Sequence, residues 1–369
     1  MGILALTASV LLALPVPTRP PAAVIPIDTG GFGPPFVRAK VKGASFWFLL
    51  DTASPSAFGQ RQALAIDLPV EKSDIPIELP GITFTMRSVP IVDLGPRQIA
   101  LGHKLDGVLG SEFFARFLVT FDFQRNTLTV SDSRTVRHAG RARSLPIVIE
   151  GGLPYAAADL AVRGPGTLNG KFLLDTGSDG AVTLYSPFVR ERGLAGPPPT
   201  LPAGATGEMQ AVSRGESLAL GGFLLRDPLV VLSVSESGAL ADPGHAGLIG
   251  MDVLRRFTVT LDYALKRVLL EKNAAFKSSF DYDASGLRVQ PQGQDLTTLE
   301  VRRVIPRSPG AEAGFEPGDV ILAVDGRPVG EITPQGVRRL LQTDGAQYAL
   351  SILRRGQIRK LQLKCRRVI

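Results

Sequence analysis

The sequence predicts a mostly β protein that contains an internal duplication and ends in a separate C-terminal unit. The duplication is visible as two segments, residues 24–133 and 140–273, that repeat the same motifs in the same order. After Lys272 the pattern of motifs changes. An apolar content of 44%, together with 40 glycines and 29 prolines, favours a β-rich globular protein. The chain is long enough for two or three domains.

The strongest repeat is an apolar strand that runs directly into an aspartate. Residues 48–54 read Phe-Leu-Leu-Asp-Thr-Ala-Ser, and residues 172–178 read Phe-Leu-Leu-Asp-Thr-Gly-Ser. Two carboxylates that meet across a pseudo-twofold axis cannot both ionise, so they share one proton. Asp51 and Asp175 therefore predict a paired-carboxylate site, in which one group takes a proton from water and the other donates one.

Further motifs follow each aspartate in the same order. Both copies contain an apolar-apolar-Gly turn, which ends at Gly110 in the first copy and at Gly250 in the second. Matching tails then follow at residues 113–123 and 253–263. Because several motifs recur in one order over most of each copy, the repeat indicates a duplicated fold.

On these motifs, residues 24–273 resemble a retropepsin-like (retroviral-type) aspartyl protease with both lobes in one chain. The resemblance implies a pseudo-twofold pair of short, closed β lobes with the active site between them. In such proteins the two threonines lock the aspartate loops together, the serines bond to the carboxylates, and the Gly turns brace the loops. The supporting loop residues implied in this way are Thr52, Ala53, Ser54, Thr176, Gly177 and Ser178.

Ala53 departs from this pattern, since the family usually has glycine at that position. Glycine serves where the backbone must come close to another group or adopt unusual dihedral angles. The methyl group of Ala53 either crowds the loop or is tolerated because the backbone is ordinary. Pro55 also removes a backbone donor nearby.

The second copy is longer between its aspartate and its Gly turn, and the extra residues lie around positions 197–215. A hairpin hinged by glycines over the cleft would exclude water and clamp the substrate. The candidate flap residues are Gly204, Gly207 and Met209. The alternative is a plain surface loop.

Two other features are interpreted as ordinary structural elements without a functional role. A third Asp-Thr-Gly, at residues 28–30, follows no long apolar strand and is interpreted as a turn. The histidines, His103, His138 and His245, lack partners at metal-ligand spacing, so we expect ordinary loop histidines, no metal site and no cofactor.

Residues 284–369 resemble a PDZ domain of the bacterial envelope-protease type, joined by a linker at 274–283. The resemblance rests on Ser-Gly-Leu-Arg-Val at 285–289 and on the run from 304 to 329, which includes Pro-Gly-Asp-Val-Ile and Val-Asp-Gly. It implies a β sandwich or barrel with one or two helices, which binds an extended peptide or peptide C-terminus at a sheet edge. The alternative is a groove blocked by the protease lobes. The groove candidates are Gly286, Leu287, Val289, Val337 and Leu341.

The remaining features concern location and partners. Residues 1–23 contain an apolar run, too short to span a bilayer comfortably, that we interpret as a signal segment, with export to a bacterial cell envelope, the periplasm or the medium. No later segment is predicted to cross a membrane.

The single cysteine, Cys365, forms no internal disulfide. A net charge of +7 is modest, and the basic residues 354–367 resemble a solvated strand face rather than a nucleic-acid site.

The sequence thus predicts a monomeric aspartic endopeptidase that hydrolyses protein or peptide substrates with the Asp51/Asp175 pair and captures peptides with its PDZ domain. Two alternatives stay open. One is a catalytically impaired, peptide-binding protein of the same fold, which Ala53 favours. The other is a PDZ-based scaffold in which the lobes are only a rigid support.

Overall fold

The computed structural model describes residues 22–131, 142–194, 201–202 and 209–367, without residues 32, 70, 72 and 165. The candidate flap residues Gly204 and Gly207, the histidine His138 and the predicted signal segment therefore lie outside the described residues. For positions 201, 202, 209 and 210 the backbone alone is described.

The first copy of the duplication forms a lobe of short strands. Its strands are β1 (Ala23–Asp28), β2 (Phe36–Val41), β3 (Ala44–Leu50), β4 (Ala57–Gly59), β5 (Ser73–Leu79), β6 (Ile82–Val89), β7 (Ile91–Val92), β8 (Gly107–Leu109), β9 (Leu118–Asp122) and β10 (Thr127–Ser131). Its helices are α1 (Gln60–Ala65), α2 (Gly95–Leu101) and α3 (Ser111–Arg116).

The second copy repeats this plan. Its strands are β11 (Arg143–Glu150), β12 (Leu153–Val162), β13 (Gly166–Leu174), β14 (Val182–Leu184), β15 (Leu201–Pro202), β16 (Met209–Arg214), β17 (Ser217–Leu220), β18 (Phe223–Arg226), β19 (Leu229–Leu232), β20 (Gly247–Ile249), β21 (Phe257–Asp262) and β22 (Arg267–Lys272). Its helices are α4 (Ser186–Glu191) and α5 (Met251–Leu254), and a 3-10 turn spans Ala239–Ala241.

A shared antiparallel sheet joins the lobes, with the strand order β1-β10-β9-β21-β22-β11. At its centre Thr120 of β9 pairs with Thr260 of β21, and their hydroxyl oxygens lie 2.8 Å apart. The pseudo-twofold axis therefore passes between these two threonines, and the repeated tails of the sequence supply both central strands.

The strands that precede the two aspartates are buried on both faces, which explains their uninterrupted apolar sequences. In β3, residues Phe48, Leu49 and Leu50 are fully buried, and β3 runs parallel to β8. In β13 the same places are taken by Phe172, Leu173 and Leu174, beside the parallel strand β20. Both lobes and the shared sheet belong to one continuous hydrophobic core.

The C-terminal unit is a second sheet with its own core. Its strands are β23 (Leu287–Gln292), β24 (Thr298–Val304), β25 (Val320–Val324), β26 (Arg327–Pro328), β27 (Gln347–Arg354) and β28 (Gln357–Lys364). Its helices are α6 (Pro309–Glu312), α7 (Val329–Ile332) and α8 (Pro334–Leu340). The order is β23-β24-β25-β27-β28, so β23 is an edge strand, and β26 pairs with β25.

The predicted polar linker is more firmly packed than a free connection. Arg256 donates to the carbonyl oxygens of Ser278 and Ser279, and its guanidinium lies 3.6 Å from the centre of the Phe280 ring. Phe280 is 2% exposed and belongs to the core of the lobes. The proposed domain boundaries themselves stay predictions.

The basic stretch of the last hairpin is only partly a solvated face. Arg354 donates from Nε and from a terminal nitrogen to the two oxygens of Asp319, at 2.6 Å each, and also bonds to Glu316. Arg366 makes a similar two-bond contact with Glu312. Both arginines therefore hold the C-terminal unit together. Within the described part of the chain, no helix is long and apolar enough to cross a membrane.

Candidate functional site

The duplicated aspartates lie on two loops that meet at the pseudo-twofold axis. Asp51 follows β3, and its backbone N–H donates to Leu109 O of β8 at 3.0 Å. Asp175 follows β13 and donates to Ile249 O of β20 at 2.9 Å. Because each loop is tied to the neighbouring parallel strand in the same way, the two carboxyl groups occupy equivalent positions, 1% and 9% exposed for the whole residues.

The two threonines interlock the loops through a symmetric exchange of hydrogen bonds. Thr52 N donates to Thr176 Oγ1, and Thr176 N donates to Thr52 Oγ1, both at 3.0 Å. Each hydroxyl then donates across the axis to a carbonyl oxygen, Thr52 Oγ1 to Leu174 O at 2.6 Å and Thr176 Oγ1 to Leu50 O at 2.8 Å. All of these groups are buried, so the exchange holds the aspartate loops at a defined separation.

The apolar-apolar-Gly turns lie directly against these loops. A Cβ at Gly110 would come within 2.3 Å of the backbone of Ser54 and Pro55, and one at Gly250 within 2.5 Å of Gly180 O. Both distances are far below van der Waals contact. Only glycine therefore allows the turn to approach the loop this closely, as the bracing role requires.

The hydrogen bonds to the two carboxylates are not symmetric. Asp51 accepts from Ala53 N at 2.7 Å, from Ser54 Oγ at 2.9 Å and from the guanidinium of Arg97. Asp175 accepts from Gly177 N at 2.8 Å, and the backbone of Ser178 also stabilises its charged form. The serine hydroxyl contact implied by the resemblance is thus made at Asp51, while the second loop uses backbone groups.

Burial, and after it the negative charge of Asp51, raise the pKa of Asp175 to about 8. A carboxyl group in such a place keeps its proton at neutral pH, because the ionised form loses hydration and faces a like charge. The pair can therefore hold one proton over a broad pH range, the protonation state that acid–base hydrolysis uses.

Arg97 is the site residue that sequence reasoning missed. It lies on α2, and its side chain is 36% exposed, whereas that of Asp51 is 2% exposed. The guanidinium therefore reaches the buried carboxylate from the more open side. No motif marks this arginine, since it is 46 positions from Asp51 in the chain and lies outside the repeated motifs.

The methyl group of Ala53 is accommodated. Ala53 is not among the described residues with positive φ, and it packs beside a cluster formed by Tyr155, Leu173, Tyr185 and Leu248. Gly177 is different, since a Cβ there would lie 2.5 to 2.7 Å from the carboxyl atoms of Asp51. The glycine is thus required for space at the second loop and not at the first.

The candidate flap is described only at its base. Strand β15 pairs antiparallel with the start of β16, with Pro202 opposite Met209 and Leu201 opposite Gln210. Strand β16 continues against β19 of the second lobe. A hairpin base is thus present at the predicted place, while the flap function stays a prediction.

Two histidines have carboxylate partners that the sequence did not reveal. His103 Nε2 lies 3.4 Å from Asp28 Oδ2, and its ring stacks on Phe36. His245 Nε2 lies 2.9 Å from Glu150 Oε2, and its ring stacks on Tyr155. The two rings hold equivalent places in the repeat, since Phe36 pairs with Leu49 and Tyr155 with Leu173, whereas the two carboxylates do not. The hydrogen bond from Gly30 N to Asp28 Oδ1 at 2.7 Å supports the turn interpretation of residues 28–30.

In the C-terminal unit the predicted carboxylate-binding loop already holds a carboxylate of the same chain. Asp283 Oδ2 accepts from Gly286 N at 2.7 Å, and Asp283 Oδ1 accepts from Ser285 N at 3.3 Å. Leu287 N donates to Ser285 Oγ at 3.0 Å. Burial raises the pKa of the Asp283 carboxyl, and the bonds from Ser285 oppose that shift. The backbone donors expected to receive a peptide terminus are therefore occupied.

The other groove candidates are mostly core residues. Leu287 is 3% exposed, Leu341 is 1% exposed and Val337 is fully buried, while Val289 is half-buried. The free edge of β23 faces the duplicated lobes, where α2 packs against it. The structure thus brings α2 next to both the aspartate pair and the predicted peptide groove.

Comparisons with known proteins agree with parts of this description. A family model described as a PDZ domain matches residues 300–354, which confirms a PDZ domain in the C-terminal unit and, with the strand content of the lobes, the predicted fold class. The chain is 40% identical over 65 residues to "Magnetosome formation protease MamE" of Magnetospirillum gryphiswaldense, which is 17% of this chain and 8% of that protein. The chain thus spans less than a tenth of that relative. A crystal structure of an aspartic proteinase from Irpex lacteus aligns with 70% of this chain and 99% of its own, at a TM-score of 0.41 and 13% identity.

The contrast between the two loop positions predicts a large loss of stability for a substitution at one and a small loss for the matched substitution at the other. Gly177→Ala should lower both stability and activity strongly, because the new methyl would overlap the Asp51 carboxyl group. Ala53→Gly should cost only about 1 kcal/mol, mainly through the entropy of the unfolded chain. Thermal unfolding and peptide cleavage would test both. A Gly177→Ala protein as stable as wild type would contradict the packing described here.

The raised pKa of Asp175 predicts a pH-dependent cost to stability. Its folded-state pKa of about 8 lies above the ordinary value of 3.8, so the folded state binds the proton more tightly. The stabilisation of the folded state by this bound proton is complete when the pH is below 3.8. It is lost as the pH rises through about 8. Relative to Asp175→Asn, wild type should therefore become less stable between those limits, by a few kcal/mol at about 1.4 kcal/mol per pKa unit. Denaturant unfolding across pH measures this, with the exposed Asp67→Asn as control. A pH-independent difference between wild type and Asp175→Asn would refute it.

Proposed function

We propose that the chain is an aspartic endopeptidase of the retropepsin-like type, in which the Asp51/Asp175 pair activates water for attack on a peptide bond. The observation that carries the proposal is the reciprocal Thr52–Thr176 exchange, which holds two buried carboxyl groups at one pseudo-twofold axis. Purely structural turns would not need two equivalent aspartate loops locked face to face.

The proposed reaction needs one proton on the pair. One carboxylate takes a proton from the attacking water, and the other, protonated, donates its proton to the carbonyl oxygen, which gives a tetrahedral diol. The first group then passes its proton to the leaving nitrogen, and the second takes back a hydroxyl proton as the C–N bond breaks and the carbonyl re-forms. No covalent intermediate forms. Because both aspartates belong to one chain, we propose that the monomer is the active form. The similarity over 65 residues to a protein named as a protease is in keeping with this role.

We also propose that the PDZ domain binds extended segments of protein or peptide substrates at β23. In the free state Asp283 occupies the donors of the carboxylate-binding loop, so recognition by strand addition would not depend on a peptide terminus. Export to the cell envelope stays a proposal drawn from the N-terminal apolar run, testable by fractionating cells that produce the tagged full chain.

A second candidate function, a peptide-binding protein with an impaired site, is favoured by one observation. The cation of Arg97 is paired with Asp51, one of the two groups that hydrolysis requires. The accommodated methyl of Ala53 no longer favours this candidate, so Arg97 is the feature that separates the two proposals.

The endopeptidase proposal is tested by cleavage of a peptide library, read by mass spectrometry from acidic to alkaline pH. Wild type should cleave, while Asp51→Asn and Asp175→Asn should each lose at least about three orders of magnitude in rate, as expected when half of an acid–base pair is removed. Thermal unfolding confirms that the variants are folded. Equal cleavage by all three proteins would rule out the proposed chemistry.

The internal carboxylate predicts how the PDZ domain selects peptides. Peptides found by display on the full chain should bind equally well as free acids and as C-terminal amides, because Asp283 already bonds to the loop donors. Calorimetry on matched acid and amide pairs measures this. A strong preference for the free acids would show that a peptide terminus displaces Asp283.

A further inference from the structure

Helix α2 connects the aspartate pair with the PDZ domain. Arg97 lies near the start of α2 and bonds to Asp51. The last residues of α2 contact the C-terminal unit. We propose that Arg97 is an internal inhibitor of the Asp51/Asp175 pair and that the PDZ domain keeps it in place by holding α2. This inference rests on the endopeptidase function proposed above.

The contact itself opposes hydrolysis. Asp51 Oδ2 accepts from both Ser54 Oγ and Arg97, while Oδ1 accepts from Ala53 N. A general base needs a carboxylate oxygen with a lone pair free for the proton of water. A guanidinium bonded to this buried carboxylate occupies the side from which water and substrate would approach. With Arg97 in this position, both lone pairs of Asp51 Oδ2 are taken, one by Ser54 Oγ and one by Arg97.

The PDZ domain holds the C-terminal end of α2. None of the residues of α2 is fully buried, and its anchorage in the lobe consists of Leu101, packed on a small apolar cluster, and Gln98, which accepts from Leu105 N at 3.1 Å. Its last carbonyl groups would be unpaired at a free helix end. Gln335 Nε2 donates to Leu101 O at 2.7 Å, and Arg338 donates to Ala100 O at 3.3 Å.

The end of α2 is also wedged between two elements of the PDZ domain. A Cβ at Gly102 would lie 3.0 Å from Pro334 of α8 and 3.3 Å from Pro291 of β23. Gln98 donates to Gln294 O, just beyond β23, at 3.4 Å. These are the two elements that would flank an extended peptide, so α2 and a peptide at this edge compete for one place. Movement at the groove is thereby coupled to the position of Arg97.

The test uses the full chain and two kinds of change, each with a matched control. Arg97→Gln removes the cation, and its control Arg87→Gln alters an exposed arginine of the same lobe, whose side chain is 75% exposed. The double variant Gln335→Ala/Arg338→Ala removes the hold, and its control Arg359→Ala changes an exposed residue of β28. Cleavage of the peptide library gives the rates, and amide hydrogen exchange reports the opening of α2.

We expect Arg97→Gln and the double variant each to raise kcat/KM by about tenfold or more, because a carboxylate oxygen becomes free to take the proton of water. Both controls should match wild type. Faster exchange in α2 should accompany the double variant and not Arg359→Ala. Adding Asp175→Asn to Arg97→Gln should abolish the gain, which ties the increase to the proposed pair.

Other outcomes separate the two proposals. If wild type cleaves and Arg97→Gln is equal to it or slower, the endopeptidase function stands and the inhibitory role of Arg97 is refuted. If the double variant leaves α2 exchange unchanged, the hold by the PDZ domain is refuted. If folded wild type and Arg97→Gln both fail to cleave at every pH, the endopeptidase function fails, and the inhibitory role fails with it.

Discussion

The reciprocal bonding of Thr52 and Thr176 is the constraint on which the site depends. Two buried carboxyl groups would separate if they could, because burial and mutual repulsion both penalise their charged forms. Four hydrogen bonds across the axis and the continuous sheet beneath it, with Thr120 beside Thr260, prevent this. The energy of the fold is thereby used to keep a chemically unfavourable pair together, as is common at functional sites.

The duplicated lobes share this frame but differ in what reaches the carboxylates. Asp51 is bonded by Arg97 and a serine hydroxyl, whereas Asp175 is bonded by backbone groups. The difference depends on a seven-residue helix that the second lobe replaces by a short 3-10 turn. A gene duplication thus provides symmetric geometry, while function is adjusted by segments outside the repeated motifs.

The PDZ domain gives this asymmetry a second consequence. Asp283 satisfies its own carboxylate-binding loop, and α2 lies at the edge of β23. Both places where a peptide would be recognised are therefore in contact with other parts of the same chain. Contacts of α2 therefore connect the edge of the PDZ domain with Asp51 of the aspartate pair.

The sequence by itself determined the fold class, the pairing of Asp51 with Asp175 and the presence of the PDZ domain. These features follow from local patterns, since neighbouring residues encode an apolar strand, a turn and a bracing glycine, and the chain repeats all three. Only the tertiary structure decided that the methyl group of Ala53 fits, that Arg97 meets Asp51 and that Asp283 fills the PDZ loop. The first depends on the packing of another lobe, the second on a partner 46 positions away, and the third on how a linker turns back onto its own loop. Such contacts carry no periodic signal, because they arise only when separate elements pack together.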